Sequence, residues 1–106
     1  MTTFDKREEG FEKKFAMDEE QKFKAFVRRN RMLGVWAAGK LGITGDAVAA
    51  YAQEVVVADL ESAGDDDVLQ KVQKDFEGKG VQIGASEIRA KMTELLTEAV
   101  AQVKAL

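Results

Sequence analysis

The sequence predicts an all-α protein, a small four-helix bundle over residues 18–106 preceded by a mobile N-terminal arm, residues 1–17. Proline, the strongest helix breaker, is absent, and the helix formers Ala, Glu, Lys, Leu and Gln dominate the composition. From Asp18 onward, apolar residues recur at the spacings of three and four that mark a buried helix face. A chain of 106 residues is long enough for one domain with one core.

The first helix is predicted to begin at Asp18 and to end before Gly42. Its last part is widened by further apolar side chains, which indicates neighbours on several sides. Its predicted buried face consists of Phe23, Phe26, Val27, Asn30, Leu33, Gly34, Ala37 and Leu41, widened by Met32, Val35 and Trp36. Its basic residues are predicted to face solvent on the other side: Lys22, Lys24, Arg28, Arg29 and Arg31.

The second helix is predicted after the glycine break, with Thr44 or Asp46 as its N-terminal cap. The run Val55–Val57 also fits a short buried strand, an alternative that lacks a second strand to pair with. The predicted buried face of this helix consists of Val48, Tyr51, Ala52, Val55, Ala58 and Ser62.

The third helix is predicted to follow Gly64, with Asp65, Asp66 or Asp67 as its cap, and the fourth to be capped by Ser86. Short connections between four amphipathic helices are typical of an antiparallel bundle. The predicted buried residues are Val68, Leu69, Val72 and Phe76 in the third helix, and Ile88, Met92, Leu95, Leu96, Ala99, Val103 and Leu106 in the fourth.

The arm contains three of the six phenylalanines, Phe4, Phe11 and Phe15. Their spacings of seven and four place them on one line of a helix, too narrow to found a core but wide enough to dock. Gly10 opposes the helix by about 1 kcal/mol, which offsets favourable pairs such as Glu9 with Lys13. We therefore expect the unbound arm to fluctuate and to fold on binding. Folding of its rings back onto the bundle is the alternative.

Composition argues against several function classes. Cys and His are absent, which removes disulfides, thiolate chemistry and the usual general base and metal ligand. Gly39-Lys40 lacks the glycine loop of a phosphate-binding site, and Asp65–Asp67 lacks the ligand spacing of a calcium loop. No apolar run approaches the ~20 residues of a membrane span, and the N-terminus is too charged for a signal peptide. We predict no catalysis, no metal, no required cofactor and no direct membrane insertion.

Charge is divided into two blocks. Residues 22–40 contain six Lys or Arg and no acid, and residues 41–70 contain seven Asp or Glu and no base. The blocks either attract each other as neighbouring helices or form solvated faces of opposite sign. The run Arg28-Arg29-Asn30-Arg31 invites a nucleic-acid hypothesis, but the sequence pI of about 5.0 and the lack of flanking stacking aromatics favour a solvated basic face or an acidic partner.

Several strings resemble the zeta subunit of alphaproteobacterial F-type ATP synthases. They are Phe4-Asp5-Lys6-Arg7-Glu8, Phe11-Glu12-Lys13-Lys14-Phe15-Ala16, Asp18-Glu19-Glu20, Arg28-Arg29-Asn30-Arg31 and Leu33-Gly34-Val35-Trp36-Ala37-Ala38, with a weaker match at Tyr51-Ala52-Gln53-Glu54-Val55-Val56. The resemblance implies a four-helix bundle whose N-terminal segment enters the catalytic head at an alpha/beta interface near the gamma shaft. There the segment becomes helical and blocks rotation in the hydrolysis direction.

By position, the resemblance implies that Thr2–Met17 is the blocking element and that the helix from Asp18 is its stem. The implied apolar anchors are Phe4, Phe11 and Phe15, and the implied polar contacts are Asp5, Arg7, Glu8, Glu12 and Lys14. We thus expect an inhibitor of ATP hydrolysis that contacts the alpha, beta and gamma subunits in the bacterial cytoplasm, peripheral to the inner membrane. The alternative is a small bundle that senses adenine nucleotide by weak binding of ATP or ADP.

Overall fold

The computed structural model describes residues 15–61 and 64–106, and these residues form four α-helices. The helices are α1, Glu19–Leu41, α2, Ala47–Glu61, α3, Asp65–Gly78, and α4, Ala85–Lys104. The long helix α1 packs against the other three, and α3 also contacts α2 and α4. The prediction of a small all-α bundle is confirmed. Val55–Val57 lies inside α2, so the strand alternative is wrong.

The N-terminus of α1 is fixed by a reciprocal cap. The side chain of Asp18 accepts a hydrogen bond from the Gln21 backbone N–H at 2.8 Å, and the Gln21 side chain accepts one from the Asp18 N–H at 3.3 Å. This capping box satisfies two donors that the first turn of a helix leaves unpaired. The helix ends at Gly42, whose φ of 78° is the left-handed conformation that glycine adopts without strain.

The caps predicted for the last two helices are wrong. Asp65 is the first residue of α3, so the three aspartates occupy its first turn, and the N-cap is Gly64. Likewise α4 begins at Ala85 after Gly84, which places Ser86 inside the helix. The aspartates instead face the positive end of the helix dipole, where carboxylates are favourable.

The main core lies where α1 meets the other three helices. Trp36 packs edge-on against Phe76, with 5.7 Å between ring centroids. Twelve buried residues form this core: Leu33, Ala37, Ala38, Tyr51, Val55, Val68, Leu69, Val72, Phe76, Ile88, Met92 and Leu95. Most residues predicted to be buried in α2, α3 and α4 are confirmed, and Ser62 lies outside the described residues.

The buried face of α1 differs from its prediction in two ways: some apolar residues are exposed, and some basic residues are buried. Phe23 is 59% exposed, and Val35 is also exposed. Lys22 and Arg29, predicted to face solvent, are buried. Because α1 is covered by neighbours on more than one side, its buried sector is wide enough to include these two cations. Leu106, predicted to extend the face of α4, is exposed beyond the end of that helix.

The helices α1 and α2 lie very close together at Gly34. A Cβ atom at this position would lie 2.5 Å from the Cα of Ala52, a distance that real Cβ contacts do not show. The close approach depends on the missing side chain, because the obstructing atom belongs to the backbone.

Gly34→Ala should therefore lower the free energy of unfolding by about 1–3 kcal/mol, the usual cost of overpacking a core. Gly39→Ala is the matched control, since a Cβ at Gly39 meets nothing within 4 Å and alanine is the better helix former. Urea unfolding of the two variants should give changes of opposite sign. A Gly34→Ala variant as stable as Gly39→Ala would contradict the close packing.

Candidate functional site

The predicted partner-binding residues fall mostly outside the described part of the chain. Phe4, Asp5, Arg7, Glu8, Phe11, Glu12 and Lys14 lie within residues 1–14, so their roles stay predictions. Phe15 is the one predicted anchor that the structure describes. Because the predicted arm joins the bundle at this point, residues 15–17 form the described edge of the candidate site, and we call them the arm base.

The arm base packs against the bundle. Met17 is buried with Ala25 and Phe26 of α1 and with two valines of α4, and Phe15 is partly buried against the same group. We call this group the arm-base cluster, and its members are Met17, Ala25, Phe26, Val100 and Val103, with Phe15 and Leu96 packed against it. It joins the start of α1 to the end of α4 and is distinct from the main core.

One further contact and one unusual backbone conformation define the course of the arm base. The ammonium of Lys104 donates a hydrogen bond of 2.7 Å to the Phe15 carbonyl oxygen. Ala16 has a φ of 50°, in the left-handed region that non-glycine residues rarely occupy. The chain therefore turns sharply at Ala16, directly before the capping box at Asp18.

The basic run of α1 does not form a continuous cationic surface. Arg29 is only 1% exposed, and its guanidinium donates to Asp65 at 2.7 Å and to the Asn30 side chain at 2.8 Å. Its Cζ atom also lies 5.3 Å from the centre of the Phe26 ring, within cation–π range. Arg28 donates to Gln102 of α4 at 3.2 Å. Two of the three arginines are thus committed to contacts inside the bundle, which argues against nucleic-acid binding by this run.

The buried polar network continues beyond Arg29. The Asn30 amide donates to the Asp59 carboxylate at 2.8 Å, and the other oxygen of Asp59 accepts from the Gly64 backbone N–H at 3.2 Å. The network therefore ties α1 to the end of α2 and, through Asp65, to the start of α3. Its hydrogen bonds satisfy groups that would otherwise be costly to bury.

Sequence reasoning missed this network, although one signal for it was present. Attraction between the basic and acidic blocks was one of the two alternatives, and the ion pair of Arg29 with Asp65 realises it. Asp59 follows the predicted buried residue Val55 by four, so helical spacing alone places it on the inner face of α2. An acid at a buried helical position, opposite a basic helix, indicates a buried polar contact.

A second polar cluster lies between α2 and α3. The phenol of Tyr51 donates to Asp75 at 2.7 Å, and Lys71 forms ion pairs of 2.8 Å with both Glu54 and Asp75. Burial lowers the pKa of Lys71, but its hydrogen bonds to Asp75 and Glu54 outweigh that effect and raise the pKa above its ordinary value. Lys71 and Glu54 also line a groove of about 390 Å³ with Val57 and Glu61.

Tyr51 makes the stability of this cluster sensitive to alkaline pH. Burial raises its pKa well above the ordinary value of 10, and the hydrogen bond to Asp75 and the negative charges of Asp75 and Glu54 raise it further. Above pH 10 the phenol ionises in the unfolded chain but stays protonated in the folded one. The stability that Tyr51 contributes is therefore complete below pH 10 and is lost progressively as pH rises above it.

We expect denaturant unfolding to show a steeper loss of stability above pH 10 for the wild type than for Tyr51→Phe. The variant keeps Lys71 and all other titrating groups, so the difference isolates the phenol. Because Tyr51 is the single tyrosine of the chain, its absorbance reports its ionisation directly. Parallel pH dependences for the two proteins, or ordinary phenol titration in the folded state, would contradict this assignment.

Most acidic side chains of the described residues are spread over the surface or paired with arginines and lysines. Over residues 15–61 and 64–106, no group of three or more Asp or Glu side chains is placed to hold a metal ion. In the acidic first turn of α3, Asp65 pairs with Arg29 and Asp66 with Arg89. None of the helices described combines the length and apolar character needed to cross a membrane.

Comparison with known proteins identifies a family and a similar solved structure. The family model described as ATPase inhibitor subunit zeta matches residues 1–102. A protein solved by solution NMR is 47% identical, with a TM-score of 0.68, and the match covers 78% of this chain and 94% of that one. No curated protein matches the chain.

Proposed function

The chain belongs to the ATPase inhibitor subunit zeta family, whose model spans nearly its whole length, and from this we propose how it acts on its ATP synthase. The arm, residues 1–17, inserts at an alpha/beta interface of the catalytic head beside the gamma shaft. There it becomes helical and blocks the rotation that accompanies ATP hydrolysis. The bundle remains outside the head. Family membership is the observation that carries this proposal.

The size of the bundle supports the proposal that it stays outside the catalytic head. Its principal extents of 38 × 29 × 22 Å are much larger than a single helix, whose diameter with side chains is about 10–12 Å. A site in the catalytic head that is wide enough for one helix is therefore too narrow for the bundle. The capping box at Asp18 fixes the start of α1 at the point where the arm leaves.

The binding energy of the proposed complex is concentrated in apolar anchors. Burial of one phenylalanine side chain contributes about 1.5–3 kcal/mol, so Phe4, Phe11 and Phe15 together offset a large part of the cost of ordering a segment on binding. Asp5, Arg7, Glu8, Glu12 and Lys14 would set orientation through polar contacts at the rim. A few anchors that carry most of the energy are typical of protein interfaces.

Deletion of residues 2–14 tests the proposal directly. This deletion removes most of the arm but keeps Phe15–Met17, and so leaves the arm-base cluster in place. ATP hydrolysis by the purified catalytic head of the same ATP synthase is measured with the intact or the shortened chain added. We expect inhibition by the intact chain alone, with equal thermal unfolding of the two proteins.

Two results would contradict the proposal in different ways. Equal inhibition by the shortened chain would place the inhibitory surface on the bundle. Binding of the intact chain to the head without inhibition would keep the partner and reject the inhibitory role.

Adenine-nucleotide binding by the bundle stays the alternative prediction. The groove between α2 and α3 has the volume for part of a small molecule, but its lining includes the carboxylates of Glu54 and Glu61. Lys71, which also lines it, already pairs with Glu54 and Asp75. The groove is therefore a poor receptor for phosphate. Amide shifts on titration with ATP that cluster on the bundle and survive deletion of residues 2–14 would favour the alternative.

A further inference from the structure

Two sites, one on the bundle and one in the proposed partner, compete for the side chain of Phe15. As a predicted anchor it enters the catalytic head, yet in the unbound chain it packs against the arm-base cluster. The cluster contributes side chains from both α1 and α4, including Phe26 and Val103. A ring held on the bundle cannot at the same time fill a pocket of a partner.

The backbone of the arm base holds this arrangement through a conformation incompatible with helix. Ala16 has a φ of 50°, whereas a helix that continued from the arm into α1 would require about −63° at the same residue. The left-handed conformation is costly for alanine relative to glycine. Contacts around Ala16 must therefore favour the turn, and its release allows the chain to straighten.

One of those contacts comes from the far end of the sequence. Lys104, in the last turn of α4, donates its 2.7 Å hydrogen bond to the carbonyl oxygen of Phe15. In an α-helix that carbonyl would accept from the backbone N–H of residue 19. The ammonium thus anchors to α4 the carbonyl group that would pair with that N–H if the helix continued through the arm base.

We propose that the arm base is an autoinhibitory latch, in which Lys104, the turn at Ala16 and the arm-base cluster hold Phe15 on the bundle until the catalytic head takes it over. This inference rests on the proposed function. Docking of the arm requires the Lys104 contact to break and Ala16 to become helical. The latch lowers the apparent affinity for the head by the fraction of molecules in which Phe15 is released.

Lys104→Ala removes the contact to Phe15, and Lys40→Ala is the matched control. Both lysines are exposed and lie in the last turn of a helix, so each variant loses the same favourable interaction with a helix dipole. Lys40 lies at the opposite end of α1, about 30 Å from the arm base at 1.5 Å per helical residue. In the unbound protein, we expect nuclear Overhauser effects between the Phe15 ring and the side chains of the arm-base cluster to weaken in Lys104→Ala only.

Ala16 provides an independent pair of variants. Ala16→Gly adopts a positive φ without strain and should keep the Phe15 contacts. Ala16→Val places a β-branched residue in the left-handed region, where such residues are outliers, and should release them. Phe15 contacts of full intensity in both Lys104→Ala and Ala16→Val would overturn the latch.

Binding to the purified catalytic head completes the test. We expect the dissociation constant of Lys104→Ala to fall to about one third or less of the wild-type value, and that of Lys40→Ala to stay unchanged. Release of Phe15 without tighter binding would overturn the competition between bundle and head. If the intact chain binds no head at all, the proposed function fails. The Phe15 contacts in the unbound variants then still decide whether Lys104 and Ala16 hold the ring.

Discussion

Replacement of both Phe11 and Phe15 by alanine should abolish inhibition of ATP hydrolysis at concentrations where the wild type inhibits fully. Each ring contributes about 1.5–3 kcal/mol when buried in a partner, and each 1.4 kcal/mol corresponds to a tenfold change in affinity. Loss of both rings should thus raise the half-inhibitory concentration by about a hundredfold or more. A concentration series in a steady-state hydrolysis assay with the purified head measures the effect.

Phe23→Ala is the matched control for this series. Phe23 is 59% exposed on α1, only a few residues beyond the predicted arm, so its replacement removes a ring of equal size without touching the arm. Far-UV circular dichroism and thermal unfolding should show that every variant is folded, which matters because Phe15 packs on the arm-base cluster. Inhibition by the double variant equal to that of Phe23→Ala would reject the phenylalanines as anchors.

The role of Phe15 as an anchor and its role in the latch have opposite effects on the affinity for the catalytic head. Phe15→Ala removes a contact with the head and also frees the arm from the bundle, so its net effect should be smaller than that of Phe11→Ala. Lys104→Ala frees the arm without loss of an anchor and should strengthen binding. The order Lys104→Ala, wild type, Phe15→Ala, Phe11→Ala, from tightest to weakest, is a joint consequence of the two proposals.

Helical periodicity was sufficient to predict most of the bundle core because most of the buried positions are apolar. Val68, Val72 and Phe76 in α3, and Ile88 and Met92 in α4, are buried as their spacing predicts. These helices each present one apolar stripe to the core, and a stripe of this kind is readable from sequence alone. The short glycine-containing breaks were equally informative about where helices end.

Periodicity failed where burial does not follow polarity. Arg29 is buried because Asp65 and Asn30 satisfy its guanidinium, and these partners come from the start of α3 and from its own neighbour. Such long-range pairing is invisible to a pattern of apolar residues. Phe23 was predicted to be buried from its helical spacing to Phe26 and Val27, yet the buried stripe of α1 passes beside it, through Lys22 and Phe26.

The cap predictions failed for a different reason. A side-chain cap requires an extended residue placed directly before the helix, and a shift of one residue changes the role of a side chain completely. Asp18 has this conformation and caps α1, whereas Asp65 and Ser86 lie one or two residues inside their helices. For the candidate site, the spacing of the phenylalanines indicated a docking arm, with folding back onto the bundle as the alternative, and the resemblance named the partner. The latch contacts of Ala16 and Lys104 depend on tertiary geometry that no local pattern contains.

Asp65→Ala should lower the free energy of unfolding by about 2–4 kcal/mol, because it leaves the buried guanidinium of Arg29 without its charged partner. Arg29 is 1% exposed and cannot turn to water without disturbing Phe26, over whose ring it lies. The side chain of Asp65 itself is 32% exposed, which keeps the expected cost below that of a fully buried pair. Urea unfolding followed by far-UV circular dichroism measures the difference from the wild type.

Asp66→Ala is the control that separates the buried pair from the helix dipole. Both aspartates lie in the first turn of α3, so each variant loses a similar interaction with the helix N-terminus. Asp66, however, has a side chain that is 70% exposed and pairs with Arg89 on the surface, a contact worth about 0–1 kcal/mol. Equal losses of unfolding free energy in the two variants would mean that the pair of Asp65 with Arg29 stabilises the fold no more than the surface pair of Asp66 with Arg89. If instead Asp65→Ala is costly and Asp66→Ala is not, the double variant Arg29→Met, Asp65→Ala should be more stable than Asp65→Ala alone. In the double variant no unpaired guanidinium remains buried.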